Sequence, residues 1–391
     1  MKKIRVAVLT TADLNDRKIW SGIPHFIYKS LKYEFDEVVV LGPVKVTGSL
    51  TRLIASLHFR LSKGVSLISK KLFNKRHNHD DSWWVSAMNA SFFKKRLREE
   101  GPFDLIIAIA SPTAVSLLTT KTPIFNVGDA TYKLLHGYYP YISNLINFSR
   151  YETFIIERQA LRKASYNIYA SQWAANSAIK DYGVENQRAQ VIPFGANIEV
   201  APPREDIIHN DFSYRLLFLG VDWERKGGPI AFECLTRLVE SGINVHLTVC
   251  GCVPPDSFQH SNLEVIPFLD KNNPVEYKRL VALMKEADFL LLPTRAECYG
   301  IVFCEASAYG TPSITTNTGG VGSAVEDGVN GFKLPLSAQG NDYAKLIAGI
   351  YANKDSYLKL SISAREYYEK VINWTVWSKK VRNLFDNLPK D

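Results

Sequence analysis

The sequence predicts an α/β protein made of two doubly wound, parallel-sheet, Rossmann-like domains. Two alternating runs of short apolar segments and helical stretches point to it, as does the polar, aperiodic stretch that separates them. A length of 391 residues also exceeds what one hydrophobic core usually organises. Parallel neighbours need a crossover, so a four-to-six-residue apolar run followed by a helical pattern reads as one unit of such a sheet. In the first half the candidate strands are Ile4 to Leu9, Glu37 to Leu41, Leu105 to Ile109, Ile124 to Val127, Tyr166 to Ala170 and Gln190 to Pro193. The least periodic stretch, Asn197 to Asp211 with its APPRED run, is the predicted linker, and a second alternation begins at Arg215. The expected domains are therefore 1–200 and 212–372.

Composition bounds the class. Apolar residues at 46% and charged residues at 22% describe an ordinary globular chain. The five cysteines all lie in the second half and have no zinc-like spacing, so they read as reduced packing residues of a cytosolic protein. The opening MKKIRVAVLTT reads as a first strand, too brief for a signal peptide. No run reaches the 18 or so apolar residues of a membrane span. Nucleic acid is not an expected partner, because no recognised motif accompanies the net charge of +8.

The second half carries the chemistry. In LLPTRAECYGIVFCEASAYG, residues 291–310, two carboxylates, Glu297 and Glu305, flank a strand-loop-helix junction. Phe289 to Leu292 reads as a buried strand closed by Pro293, and Ile301 to Tyr309 as a helix ending at Gly310 and Pro312. Ligands of open α/β sheets bind at this carboxyl edge, where the unpaired amides of a helix start favour phosphate. An ionised carboxylate accepts two hydroxyls at once, which suits the vicinal diol of a ribose or a pyranose. A second element, FLGVDWERKGG at 218–228, puts Arg225 and Lys226 on a strand-to-helix turn, an anion site in its own right. Two solvated glutamates and a wet basic turn are the plain alternative to both.

Together these segments resemble the donor-site signature of the family-4 retaining glycosyltransferases, over roughly residues 213–335. The resemblance implies the GT-B architecture, two such domains facing across a cleft, with the last helix, 374–391, crossing back onto the first domain. It assigns Glu297 to the donor sugar's hydroxyls, Glu305 to the nucleotide ribose, and Arg225 and Lys226 to the diphosphate. Tyr299, Gly300, Ile301 and Val302 form the turn into the helix and are assigned to the donor with them. The implied reaction is a metal-independent, retaining transfer of a hexosyl group, with no cofactor. The donor is a UDP-hexose, or GDP-mannose second, and the acceptor a saccharide or lipid-linked hydroxyl in cell-envelope or polysaccharide biosynthesis. A non-catalytic nucleotide-sugar-binding or regulatory subunit is the alternative. Where many relatives carry an arginine just after the strand glycine, this chain has Val221 and Asp222.

The first half contributes candidates of its own. Gly22 precedes a helix whose amides could meet the diphosphate or acceptor, although a simple capped helix start fits this segment equally, and Ser171 lies at the turn in YASQWAANSAIKDYG, 169–183, which resembles a family element that enters the cleft. Relatives often place a histidine after the strand Ile124 to Val127; here stand Gly128, Asp129, Ala130 and Thr131. Asp129 is the candidate to orient or deprotonate the acceptor, with His136 next, although an aspartate capping the following helix fits equally. Between Leu50 and Arg98 basic residues far outnumber acidic ones, and Leu50, Ile54, Leu57, Leu61, Val65, Ile68 and Leu72 recur at helical spacing. This reads as an amphipathic basic helix or helix pair, interrupted at Gly64, resting peripherally on the anionic inner face of the plasma membrane. A helix packed on its own sheet with a wet basic face fits the same pattern.

Overall fold

A computed structural model describes residues 3–45, 49–206 and 212–389. The chain divides into two compact units, one of Met1–Asn15, Pro24–Ile192 and Ser378–Asp391, the other of Asp16–Ile23 and Pro193–Trp377.

The first unit is built on six parallel strands in the order β2-β1-β3-β4-β5-β6: β1 Arg5–Leu9, β2 Glu37–Val40, β3 Leu105–Ile109, β4 Ile124–Gly128, β5 Tyr166–Tyr169 and β6 Ala189–Val191. β3 is buried along its whole length, as expected of a strand covered on both faces. Phe93, Ile106, Val115 and Ala160 form part of a core between the sheet and the helices Trp83–Glu100 and Asn147–Lys163. Ser82 caps the first of these helices, its hydroxyl accepting the amide of Val85 at 3.3 Å. Near the chain end, Arg382 donates to the carbonyl of Glu34 at 2.8 Å and the Phe35 and Phe385 rings meet edge to face.

Ser49–Phe73 is one continuous helix of 25 residues, so Gly64 does not interrupt it, a correction to the expected break. A lone glycine costs a helix only about 1 kcal/mol, and a long helix tolerates that. The helix is turned inside out. Leu57, Leu61, Ile68 and Leu72 are 57–66% exposed, while Ser62 and Ser69 are 6% exposed. Leu50, part of the predicted stripe, has a side chain outside those described. Among the described residues no helix is long and apolar enough to cross a membrane.

The second unit holds six parallel strands in the order β12-β11-β10-β7-β8-β9: β7 Arg215–Leu219, β8 His246–Cys250, β9 Leu263–Ile266, β10 Phe289–Leu292, β11 Ser313–Thr316 and β12 Gly331–Leu334. The four residues of β10 are fully buried, and each contributes roughly 1.5–3 kcal/mol by leaving water. Residues 193–199, expected with the first domain, pack within this unit. The amide of Ala196 donates to the carbonyl of Ile372 at 3.1 Å. Gly195 passes so close to the Asn373–Trp374 backbone that a Cβ would lie 2.2 Å from the Trp374 nitrogen.

Candidate functional site

The strand order of the second sheet reverses between β7 and β10, which are direct neighbours with Phe289 beside Leu216 and Leu290 beside Leu217. Crevices at the carboxyl ends of such a strand pair are where open α/β sheets take ligands. The turn after β7 and the loop after β10 meet here, and two glycines allow it. A Cβ on Gly227 would come within 2.0 Å of the Pro293 carbonyl oxygen, and one on Gly228 within 2.0 Å of the Trp223 ring. The amide of Arg295 donates to the Arg225 carbonyl at 2.7 Å, and the Arg225 guanidinium donates to the Ala296 carbonyl at 3.0 Å. Asp222 accepts the Arg225 amide at 3.0 Å and lies 3.5 Å from its Nε, fixing the arginine's direction.

The chemistry gathers on this scaffold. Lys226 Nζ donates to Glu297 Oε2, and Arg225 Nη1 lies 4.0 Å from the same oxygen. Glu297 and Lys226 are only 8% and 9% exposed, and charges buried to that degree persist only when paired. Gly300, at φ +87°, turns the loop into the helix Ile301–Ala308, and a Cβ there would lie 2.3 Å from the Phe303 ring. Gly300, Ile301 and Val302 thereby present the start of the helix beside the Glu297 loop.

Glu305 sits one turn further on, 4% exposed, and pairs with Lys271 Nζ at 2.7 Å. Burial pushes its carboxyl above the usual range and Lys271 draws it back. The loop carrying Lys271 is gripped by a stretch from the other end of the sequence. Lys18 pairs with Asp270 at 2.7 Å, the Arg17 amide donates to Asn272 at 3.2 Å, and Asn272 donates to Asp16 at 3.2 Å. Arg17 also pairs with Glu199 at 2.5 Å. Trp20, Ser21 and Gly22 follow with φ of 46°, 55° and 88°, three left-handed residues in succession. Two of them are not glycine, and each such position costs on the order of 1–3 kcal/mol. The Asn197 amide, donating to the Ser21 carbonyl at 2.8 Å, and the Trp20 ring against Phe194 hold the strain in place.

The second unit thus brings together Glu297, Arg225, Lys226 and the helix start, with Glu305 on Lys271 and Gly22 against Arg17 and Asn197. Tyr299, expected at the donor, spends its side chain inside the unit: it is buried, and its hydroxyl donates to the Phe194 carbonyl at 2.8 Å. Only its backbone is left to face a ligand. In the first unit Ser171 is a fully buried helix cap that accepts the Ala174 amide at 3.2 Å. Asp129 follows β4, half-buried, and His136 ends the short helix Tyr132–Leu135, its imidazole pKa lowered by burial and by Arg150 and Lys133. Among the described residues no group of three or more His, Cys, Asp or Glu is placed to hold a metal ion. Lys271 and the 16–18 stretch went unseen in the sequence. The one local signal for Lys271 is the polar LDKNNP run that leads into the helix Pro274–Glu286.

Two six-stranded parallel sheets define a class, the GT-B fold. Anabaena HepE in complex with UDP matches 99% of this chain and 100% of its own with a TM-score of 0.65 at 15% identity. Sucrose-phosphate synthase from Thermosynechococcus elongatus matches 99% of each with a TM-score of 0.66 at 15% identity. Within that class the second unit is particular: residues 204–367 match the family profile "Glycosyl transferases group 1". D-inositol 3-phosphate glycosyltransferase of Corynebacterium glutamicum (strain R) is 24% identical over 255 residues, 60% of this chain and 60% of that protein. Its counterpart in Paenarthrobacter aurescens (strain TC1) is 26% identical over 196 residues, 45% of this chain and 46% of that one. The chain spans 46–60% of the length of these two curated relatives.

Proposed function

We propose that this protein transfers a hexosyl group, with retention, from a nucleoside diphosphate sugar to a hydroxyl of a saccharide or lipid-linked acceptor. A UDP-hexose is the preferred donor and GDP-mannose the second. One observation carries the reading: a buried carboxylate, Glu297, held by Lys226 and Arg225 at a strand-reversal crevice and beside a helix start, within a segment of glycosyl transferases group 1 sequence. The HepE complex holds UDP, which favours uridine.

In this reading Arg225, Lys226 and the amides after Gly300 take the diphosphate, and preorganised positive charge is the main source of acceleration. The bond from the anomeric carbon to the diphosphate oxygen breaks as the acceptor oxygen bonds to that carbon on the same face, and the acceptor's proton passes to the departing diphosphate. Protein cations supply the charge that a divalent metal would otherwise bring. Glu297 turns to the sugar hydroxyls once the diphosphate claims Lys226, and Glu305 leaves Lys271 for the ribose. Asp129 orients the acceptor hydroxyl.

Labelled UDP-hexose, with the product's anomeric configuration followed by NMR, tests it. Glu305→Ala should weaken UDP binding about ten- to a hundredfold, the ~1.5–3 kcal/mol of a charge-assisted bond. Glu297→Ala should lower kcat more than it weakens UDP. Unchanged kinetics in both variants would remove the assignment, and UDP binding without any turnover would favour a non-catalytic subunit.

The Ser49–Phe73 helix supports a peripheral seat on an anionic membrane. Its apolar residues face outward, and Arg60, Lys63, Lys70 and Lys71 are exposed with them. Vesicles containing phosphatidylglycerol should co-sediment the protein at low salt and release it as screening rises.

A further inference from the structure

We propose that the first unit holds an anionic amphiphile, its charged head among Lys133, His136 and Arg150 and its hydrocarbon tail in an apolar cavity that adjoins them at Asn147. That this amphiphile is the acceptor rests on the transferase reading; the site itself does not.

The head cavity, about 340 Å³, is lined by Tyr132, Lys133, His136, Arg150 and Tyr151 among others, with no carboxylate among its described lining residues. Its wall is preorganised from beneath. Glu157 accepts the Tyr132 amide with both oxygens, at 3.1 and 2.9 Å, the Tyr182 hydroxyl accepts the Lys133 amide at 3.0 Å, and Thr131 caps the turn. Cations and aromatic faces held in this way suit a phosphorylated sugar, the cations taking phosphate and the rings covering apolar edges.

The second cavity, about 450 Å³, lies between the Ser49–Phe73 helix and the start of the Asn147–Lys163 helix, with Val65, Ile68, Phe73 and Ile146 in its lining. Ser69, which also lines it, donates to the carbonyls of Ser66 and Lys75 at 3.1 and 3.0 Å, so its hydroxyl is satisfied within the protein. Asn147 lines both cavities, so they adjoin at that residue. A soluble sugar phosphate would leave the apolar cavity unfilled, and a neutral lipid would bring no counter-charge to Lys133 and Arg150. One molecule with a phosphate head and an alkyl tail satisfies both.

Calorimetric titration with octyl phosphate, decyl phosphate, octyl glucoside and inorganic phosphate, each below its micellar concentration, tests the assignment. Affinity should rise ~fourfold per methylene from octyl to decyl phosphate, and inorganic phosphate and octyl glucoside should each bind at least about tenfold more weakly than octyl phosphate. Arg150→Ala and Lys133→Ala should erase the preference for phosphate over glucoside. Ile68→Asp, at a side chain 61% exposed and so harmless to folding, should erase the chain-length dependence. Equal binding of inorganic and decyl phosphate, equal binding of octyl glucoside and octyl phosphate, or no change in Arg150→Ala, Lys133→Ala and Ile68→Asp would overturn the proposal. UDP titrated into the same preparations reads the second unit separately. Loss of UDP binding with the alkyl phosphate pattern intact would sink the transferase reading and leave this site standing.

Discussion

The two units share a sheet architecture and differ in how they manage charge and grease. The second buries its charges in pairs, Lys226 on Glu297 and Lys271 on Glu305, so its crevice is satisfied without a ligand. The first leaves a cationic, aromatic hollow beside an apolar one and turns a helix's leucines to water. A crevice of paired ions suits a ligand that exchanges one partner for another, as a diphosphate sugar with hydroxyls does. Exposed hydrocarbon suits a ligand or surface that covers it.

The sharpest way to break this contrast is to unpair a buried ion. Lys226→Met keeps the stem and removes the ammonium that now pairs with Glu297, while Arg225 stays 4.0 Å away. We expect a loss of about 3–5 kcal/mol in urea unfolding of the second unit, largely recovered when Glu297→Gln is added, with the first unit unmoved. Replacing both partners without recovery would mean that the pair is not the source of the loss.

Glu157 asks the same question of the first unit, where a carboxyl is buried with hydrogen-bond donors and no cation. Its pKa is raised from 4.5 to about 7, burial being the main cause and the bonds from Tyr182 and the Tyr132 amide opposing it. The folded chain holds this proton more tightly than the unfolded one does. The stabilisation is therefore full below pH 4.5 and lost as pH rises to about 7, ~3 kcal/mol at most. Melting curves of Glu157→Gln should lack that decline relative to the parent protein; parallel pH profiles would contradict the buried acid.

Ser171→Ala should cost ~1 kcal/mol in thermal stability and leave UDP affinity unchanged, since the hydroxyl is a buried cap. A loss of UDP binding with stability preserved would return it to the donor site. The smallest effect belongs to the outward helix. Leu57→Asp and Leu61→Asp should change stability by less than ~0.5 kcal/mol yet weaken vesicle binding, and a large destabilisation would show that these leucines are covered after all.

Much of the crevice was legible because its signals are local. Four consecutive apolar residues, Pro293, and Gly300 before a helix declare a strand edge within a dozen positions, and Arg225 and Lys226 declare a basic turn in the same way. Lys271 was not legible, because its meeting with Glu305 spans 34 residues and depends on how two loops come together. Gly22 read as the approach to a helix start; the left-handed backbone at Ser21 beside it is held by Asn197, 176 residues away. Tyr299 and Ser171 stand beside recognisable motifs, and motif position could not tell a ligand-facing side chain from one that holds the scaffold. The Ser49–Phe73 helix shows the limit of periodicity. Spacing declares that a helix has an apolar face and is silent about which side that face is on, and here it is the outer one.

Asn197 accepts from the Trp374 indole at 2.9 Å and donates to the Ser21 carbonyl at 2.8 Å. One amide therefore stitches together three stretches of polypeptide remote in sequence. Anyone exchanging halves between this chain and a relative to graft a new donor preference should transplant residues 16–23 along with 193–377, since a swap cut cleanly at 192 would carry Asn197 and Trp374 away from the backbone they hold.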